Sequence, residues 1–332
     1  VRALVTGAAG FLGRHLVAEL LRRGWEVEAL VRPSRQIPEE WEGQDVVRLP
    51  IDLRRPGEGL SQALARCDAV FHLAATTGGT WRSMFDTTVM ATQRLLEAMR
   101  AIGWEGRLVH VSSFSVYGLN QVRAHTTVDE ATPLEPHPER RDDYAWTKWL
   151  QERLVRDFRD EGGVEVAIVR PGVIYGPGRT FQHQLGRELG RGTLLLYGGL
   201  ATMRLTYVEN TASLLAECAE SPRAAGEVFN AVDPAPLRQF QYARRWRGAD
   251  RAQRRVIPFP LFALRLLGAA LVWADQVTGG AVSPPSFLDP YRLKPAYVDF
   301  RYDTTKPAEV LGWRPPIPWD RALAATFAEA GP

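Results

Sequence analysis

The chain has 332 residues, is 45% hydrophobic and carries a formal net charge of +3. That length and apolar content suffice for a large buried core, and the small charge, with both signs mixed along the chain, argues against a nucleic-acid partner. Two cysteines, Cys67 and Cys218, and the scattered His15, His72, His110, His125, His137 and His183 give neither a disulfide framework nor metal-ligand spacing. No metal is therefore expected, and a reducing, cytoplasmic setting is.

Residues 1–5 read as a short buried strand, with no apolar leader after Arg2 that would mark a signal peptide. Thr6 to Gly13 follow, with Gly7, Gly10 and Gly13 in a G-x-x-G-x-x-G spacing that runs into an amphipathic helix over 11–23. Gly7 permits a tight strand-to-helix turn, Gly10 lets backbone approach a pyrophosphate, and Gly13 lets the helix pack closely on the strand. The first helical residues, Phe11 and Leu12, then offer free N–H groups to phosphate.

A second strand is expected over 26–31. An NAD site places an acid at its end, about 20 residues beyond the glycines, to bind the ribose 2′-hydroxyl. Here that position carries Arg32, followed by Ser34 and Arg35, and Glu28 lies too early. Guanidiniums hold a 2′-phosphate by charge-assisted bonds, so NADP(H) is expected ahead of NAD(H). Stacking of Arg32 on adenine would leave both cofactors admissible.

Strands over 46–49, 69–73, 107–112 and 164–169 alternate with helices over 60–66, 84–102 and 142–161, the signature of a doubly wound parallel sheet. The last of these helices carries Tyr144 and Lys148 at i and i+4, on one face. There the lysine's charge favours the phenolate and draws the phenol's pKa towards working pH. Ser112 and Ser113 end the preceding strand; Ser112 is expected to point away from the reacting groups.

Beyond Gly178 the pattern loosens. Residues 1–178 are expected to form a Rossmann NADP-binding domain to which 203–232 returns, and 179–332 to supply mainly a smaller C-terminal substrate-binding lobe. The most apolar stretch, Val256 to Thr278, is interrupted by Pro258, Pro260, Arg265 and Asp275. A spanning helix needs ~20 largely apolar residues, so no membrane span is expected. Leu261, Leu264, Leu267, Leu271 and Trp273 are assigned to the core, with a greasy pocket as the alternative. Arg244, Arg245, Arg247, Arg251, Arg254 and Arg255 cluster around Trp246 and read as a solvated face, and 281–292 reads as irregular.

With these pieces in place the chain resembles an extended short-chain dehydrogenase/reductase, of the epimerase/dehydratase and 3β-hydroxysteroid dehydrogenase-like group. The matching stretches are Thr6 to Gly13, Ile51-Asp52-Leu53, His72-Leu73-Ala74-Ala75, Val111 to Gly118, Tyr144 to Lys148 and Arg170 to Gly178. The resemblance implies that Asp52, with Leu53 beside it, meets the adenine, and that Ala74, Ala75, Pro171 and Val173 line the cofactor. It further implies that Ser113 holds the reacting oxygen, Tyr144 is the acid/base and Lys148 holds the nicotinamide ribose.

Departures from the family pattern bear on substrate. Sugar 4,6-dehydratases place an Asp-Glu pair where this chain has Phe114 and Ser115, so dehydration by that route is not expected. Arg204-Leu205-Thr206-Tyr207-Val208-Glu209-Asn210 replaces the R-D-F-x-Y-V-D-D of sugar-modifying members, and Thr88 stands where an asparagine is usual. Phe114, Tyr175 and Arg204 are the candidate substrate residues. The expected function is an NAD(P)(H)-dependent oxidoreductase that reduces a ketone or oxidises a secondary alcohol on a rather apolar small molecule. A nucleotide-sugar epimerase and a non-catalytic NADP-binding sensor stay open, and a homodimer is compatible with the chain.

Overall fold

The computed structural model describes residues 1–189, 192–234, 237–248, 255–281 and 285–328. In chain order β1 (Arg2–Thr6), α1 (Phe11–Arg22), β2 (Glu26–Leu30), β3 (Val46–Leu49), α2 (Gly57–Leu64) and β4 (Ala69–His72) open the fold. They are followed by α3 (Trp81–Met84), α4 (Ala91–Ala101), β5 (Arg107–Val111), β6 (Thr127–Val128), α5 (Asp143–Asp160) and β7 (Glu165–Pro171). Next come β8 (Val173–Tyr175), β9 (Gly186–Glu188), β10 (Thr193–Tyr197), β11 (Leu205–Tyr207), α6 (Val208–Glu220) and β12 (Val228–Ala231). The chain ends in α7 (Gln239–Gly248), β13 (Arg255–Phe259), α8 (Leu261–Val277), α9 (Pro290–Tyr297), β14 (Arg301–Tyr302) and α10 (Trp319–Ala328).

Seven parallel strands form the central sheet in the order β12-β7-β5-β4-β1-β2-β3. Successive side chains of a strand point to opposite faces. Val5, Ala29, Phe71, Val109 and Val169 accordingly bury against α1 and α6 on one face. Leu4, Leu30, Val70, Leu108 and Ile168 bury against α2, α4 and α5 on the other. This is the doubly wound α/β arrangement. Strand order reverses between β1 and β4, and a crevice at the carboxyl ends of the strands on either side of such a reversal is where open α/β sheets bind ligands.

Two expectations change in detail. The helix expected over 84–102 starts at Trp81, and a π-helical turn, Phe85–Met90, separates α3 from α4. The wider turn re-aims the side chains that follow it, and both Thr88 and Thr92 end up fully buried. The stretch expected to be irregular already enters α9 at Pro290, where Asp289 caps the helix by accepting from the Tyr291 N–H at 2.9 Å; residues 282–284 of that stretch lie outside the described residues.

The second half builds a three-stranded sheet, β13-β10-β9, on which α8 and α9 rest. Tyr197, Leu264, Leu288 and Leu293 form its core. The assignment of the α8 residues to a core fails for Leu267 and Trp273, which are 48% and 64% exposed, because only one side of this uniformly apolar helix docks. In α7 Trp246 is buried while Arg244, Arg245 and Arg247 face solvent, as does Arg255; Arg251 and Arg254 lie outside the described residues.

Candidate active site

The carboxyl ends of β1, β4, β5 and β7 bring Thr6, His72, Val111 and Pro171 to one edge of the sheet. The glycine-rich turn there is shaped for close approach. Gly7 has φ +70°, a left-handed conformation that favours glycine, and a Cβ on Gly13 would come within 2.3 Å of the Gly7 carbonyl. Gly10 is the N-cap of α1 and gives it no side-chain cap, which leaves the first-turn N–H groups at Phe11 and Leu12 for an anion. The turn therefore fits a pyrophosphate cradle that a side chain would fill.

Arg32 and Arg35 are exposed just beyond the end of β2, while Glu28 is buried within the strand and paired with Arg66 at 3.1 Å. Asp52 is held by a residue the sequence reading missed: Arg54 donates to its carboxylate at 2.6 Å and, with Arg32 nearby, keeps it below the ordinary aspartate range. Leu53 is buried beside it. Ala74 and Ala75 leave β4 over the Gly7 turn, where a Gly7 Cβ would lie 3.1 Å from the Ala74 nitrogen. Pro171 ends β7, and the Val173 N–H donates to the Arg204 carbonyl at 2.6 Å.

Helix α5 brings the expected acid/base group and lysine to this edge. Asp142 caps it by accepting from the Ala145 N–H at 2.9 Å, which fixes its first turn and with it Tyr144. Tyr144 is half-buried with Ser113 beside it; burial, together with the Asp142 charge, pushes its phenol above the ordinary value, and Ser113 and Arg179 offset this only in part. The expected pull of Lys148 on the phenol is not what this structure displays. Lys148 Nζ instead donates to the Val111 carbonyl at 2.7 Å and to the Gln151 side chain. Burial lowers its pKa to about 7, against the opposing influence of Glu152.

Gln151 was not singled out from the sequence, yet it is fully buried and organises the site. Its amide nitrogen donates to the Ala74 carbonyl at 3.1 Å and to Thr92 Oγ1 at 2.8 Å. Both amide protons are thereby used, so its oxygen faces Lys148 and requires a donor there. Thr92 passes its own proton to the Thr88 carbonyl at 2.6 Å, and Thr6 Oγ1, which accepts from the Leu73 and Ala74 N–H groups, donates to His72 Nδ1 at 2.8 Å. His72 is thus fixed as the neutral tautomer that donates from Nε2 to Thr92 at 2.7 Å. Burial first, then the Lys148 charge, depresses it to about 3 and also holds the stacked His110 low.

Ser112 turns away from Ser113 and donates to Glu152 at 2.5 Å. Glu152 also accepts from Arg170 Nε at 3.0 Å, and both side chains are only 1% exposed. Burial alone would raise Glu152, but the hydrogen bonds and charge of Arg170, with Ser112 and Arg156, hold it below the carboxylate range.

The candidate substrate residues are spread out. Phe114 is 2% exposed and packs edge-on against Tyr117 and Tyr302. Tyr175 is buried between Tyr207 and Tyr242 and donates to Asp233 at 3.2 Å. Arg204, half-buried, donates to the Pro295 carbonyl at 3.1 Å. Arg179, which the sequence reading passed over, is exposed and reaches over the Phe11 ring at 5.4 Å, on the Tyr144 side of the crevice. Trp146 stacks on Trp81 with ring centroids 4.0 Å apart.

A Rossmann sheet with a phosphate cradle, a phenol beside a serine and a buried lysine is the combination of fold and side chains that suits nicotinamide-dependent oxidoreductase and epimerase chemistry. The chain belongs to the NAD dependent epimerase/dehydratase family, whose model matches residues 3–231. It is 35% identical to sterol demethylase protein B of Methylococcus capsulatus over 52% of this chain and 52% of that one, so the alignment spans about half of that relative. It is 27% identical to a 3-beta-hydroxysteroid dehydrogenase of Mycolicibacterium neoaurum over 97% of this chain and 89% of the relative. Among solved structures it is similar to MoeE5 in complex with UDP-glucuronic acid and NAD, with a TM-score of 0.73 and 25% identity over 99% of this chain and 98% of that one.

Proposed function

We propose that the protein is an NADP(H)-preferring oxidoreductase that interconverts a ketone and a secondary alcohol on a rather apolar substrate. A nicotinamide cofactor bound along the glycine-rich turn supplies or accepts the hydride. The chain's own residues do the rest. As negative charge develops on the carbonyl oxygen, the Tyr144 phenol gives it a proton and the Ser113 hydroxyl fixes its position. Lys148, whose ammonium donates to the Val111 carbonyl and the Gln151 side chain, stabilises in its cationic form the phenolate left behind, so the same group serves as base in the reverse direction.

The observation that carries the apolar reading is Arg204. A nucleotide sugar needs cations for its diphosphate, and this guanidinium is turned towards a backbone carbonyl of α9. The names of the steroid-type relatives support the same choice. For the cofactor, Arg32 and Arg35 at the end of β2, with no carboxylate at that position, favour a 2′-phosphate.

The nucleotide-sugar epimerase stays as the second reading, because MoeE5 is described with UDP-glucuronic acid and the exposed Arg179 could meet a phosphate at the crevice. The test follows NADPH absorbance with purified protein and bulky hydrophobic ketones, then with UDP- and GDP-sugars. Consumption with the ketones, little changed in Arg204→Ala, is the expected result. Tight binding of a nucleotide sugar, lost in Arg204→Ala, with conversion but no net absorbance change, would move the assignment to epimerase.

A further inference from the structure

We infer that the outward side of α8 is an in-plane contact for a bilayer carrying anionic phospholipid. The helix has 17 residues and two charged side chains, Arg265 and Asp275. Only Leu264 and Gly268 are buried. Phe262, Leu266, Trp273 and Val277 are 69%, 67%, 64% and 65% exposed. They fall at i, i+4, i+11 and i+15, which at 3.6 residues per turn aligns them in one stripe along the helix. Leu267, 48% exposed, and Ala270 widen it, and Arg265 borders it.

This stripe is displayed on a docked helix, not on a loose end. A Cβ on Gly268 would come within 1.9 Å of the Leu288 carbonyl, so glycine there lets the inner side of α8 lie directly on the turn before α9. Phe287, next in that turn, is 39% exposed, with the Arg187 guanidinium over its ring at 4.7 Å. Among the described residues nothing covers the stripe. Isolated exposed apolar residues are ordinary; four large ones in register on one helix are the signature of an interaction surface.

Charge selects the partner. Residues 238–278 contain the arginines 238, 244, 245, 247, 251, 254, 255 and 265 against Asp250 and Asp275, so eight minus two gives +6 where the whole chain is +3. The remainder of the chain is therefore −3, so the net positive charge lies in the stretch of sequence that includes α8, where Arg265 is the cation on the helix itself. An apolar stripe with aromatic residues and a cationic border matches a helix lying in the headgroup region of an anionic membrane. A second copy would set the same basic segment against itself. No helix of the described residues is long and apolar enough to cross a membrane, so the contact is one that lies on the bilayer.

The test is co-sedimentation of the intact chain with vesicles of phosphatidylcholine alone or mixed equally with phosphatidylglycerol. Binding to the mixed vesicles, weakened by salt and much lower on phosphatidylcholine, is expected. Phe262→Ser/Trp273→Ser and, independently, Leu266→Ser/Val277→Ser should each weaken it by about tenfold or more, with melting curves like the parent's because all four side chains are already exposed. Arg265→Glu should weaken binding to the mixed vesicles only. Absence of binding to the mixed vesicles, or full binding by both double variants, overturns the inference. So does a dimer by light scattering that the double variants dissociate, which would make the stripe a contact between copies of this chain.

Discussion

Replacing Gln151 should move the pH at which the enzyme loses activity, and the structure sets both direction and size. Burial brings the Lys148 ammonium down to about 7, so the cationic form is held below that pH and given up as the pH rises through it. The groups facing it are Glu152, which opposes the shift, and the neutral His72 and His110. The Gln151 oxygen accepts one ammonium proton, and a hydrogen bond to a charged group contributes about 1.5–3 kcal/mol. Since about 1.4 kcal/mol corresponds to one pH unit, Gln151→Leu should lower the Lys148 pKa by roughly one to two units. Gln151→Glu should raise it. In kcat/KM for the cofactor, which reports on the free enzyme, the basic limb should fall near 7 in the parent, lower in the leucine variant and higher in the glutamate one. The leucine variant will also melt earlier, because Ala74 and Thr92 lose their donor, at about 1–3 kcal/mol for each buried group left unpaired. Melting alone would fit a purely structural residue. A limb at the same pH in all three proteins refutes the reasoning, whatever the stabilities.

Tyr144→Phe should reduce turnover by ~10²- to 10⁴-fold while cofactor affinity by titration stays close to the parent's; near-normal turnover would remove Tyr144 from the chemistry. Arg32→Asp should shift preference from NADPH towards NADH by several kcal/mol in relative affinity, about 1.5–3 per charge-assisted bond lost, and tighter binding of NADH than NADPH by the parent would contradict the proposed selectivity. Glu152→Gln should cost about 3–5 kcal/mol in urea denaturation because it leaves Arg170 buried without its counter-charge, whereas Glu152→Leu/Arg170→Met should recover most of that; equal losses would show that the charges are not what matters. Because Glu152 is held below the ordinary carboxylate range, its contribution is present above that range and is lost as the pH falls through its folded value. Parent stability should therefore decline in acid more than that of the double variant.

The parallel sheet was legible because most of its strands are short apolar runs, and several of them, β1, β3 and β4 among them, lead into a helix, a pattern set by burial within the sheet. The phosphate turn was legible because Gly7 and Gly13 are required by local backbone geometry that no other residue satisfies as well. Gln151 and Glu152 were not, since a buried polar residue on a helix looks like a solvated one until its partners from β4, β5, β7 and α4 are known. One signal was available: both lie three and four positions after Lys148, on the face that already had to point inwards. The π turn between α3 and α4 has no periodic signature, and the apolar α8 could not be divided into inner and outer sides because nearly every position is hydrophobic. Gly268, the single residue small enough for close approach to Leu288, marks the inner side only in retrospect.

The inward seam of α5 explains why recognition and positioning are coupled. Lys148, Gln151, Glu152 and Val155 follow one another at helical spacing, and all are buried. The first three replace apolar packing with hydrogen bonds to the carboxyl ends of β4, β5 and β7, while Val155 and Phe158 continue the seam into the hydrophobic cluster beneath. A shift of α5 along its axis would break the Lys148, Gln151 and Glu152 contacts together. Each polar contact left unpaired in this dry region costs more than a hydrogen bond gains in water. The same residues that place Lys148 under the crevice therefore also fix the register of Tyr144 against Ser113, one turn earlier on the helix. Tolerance to substitution should then increase with distance from this seam: changes at the exposed Arg153 and Asp157 of the same helix should leave both melting and the pH limb where they are.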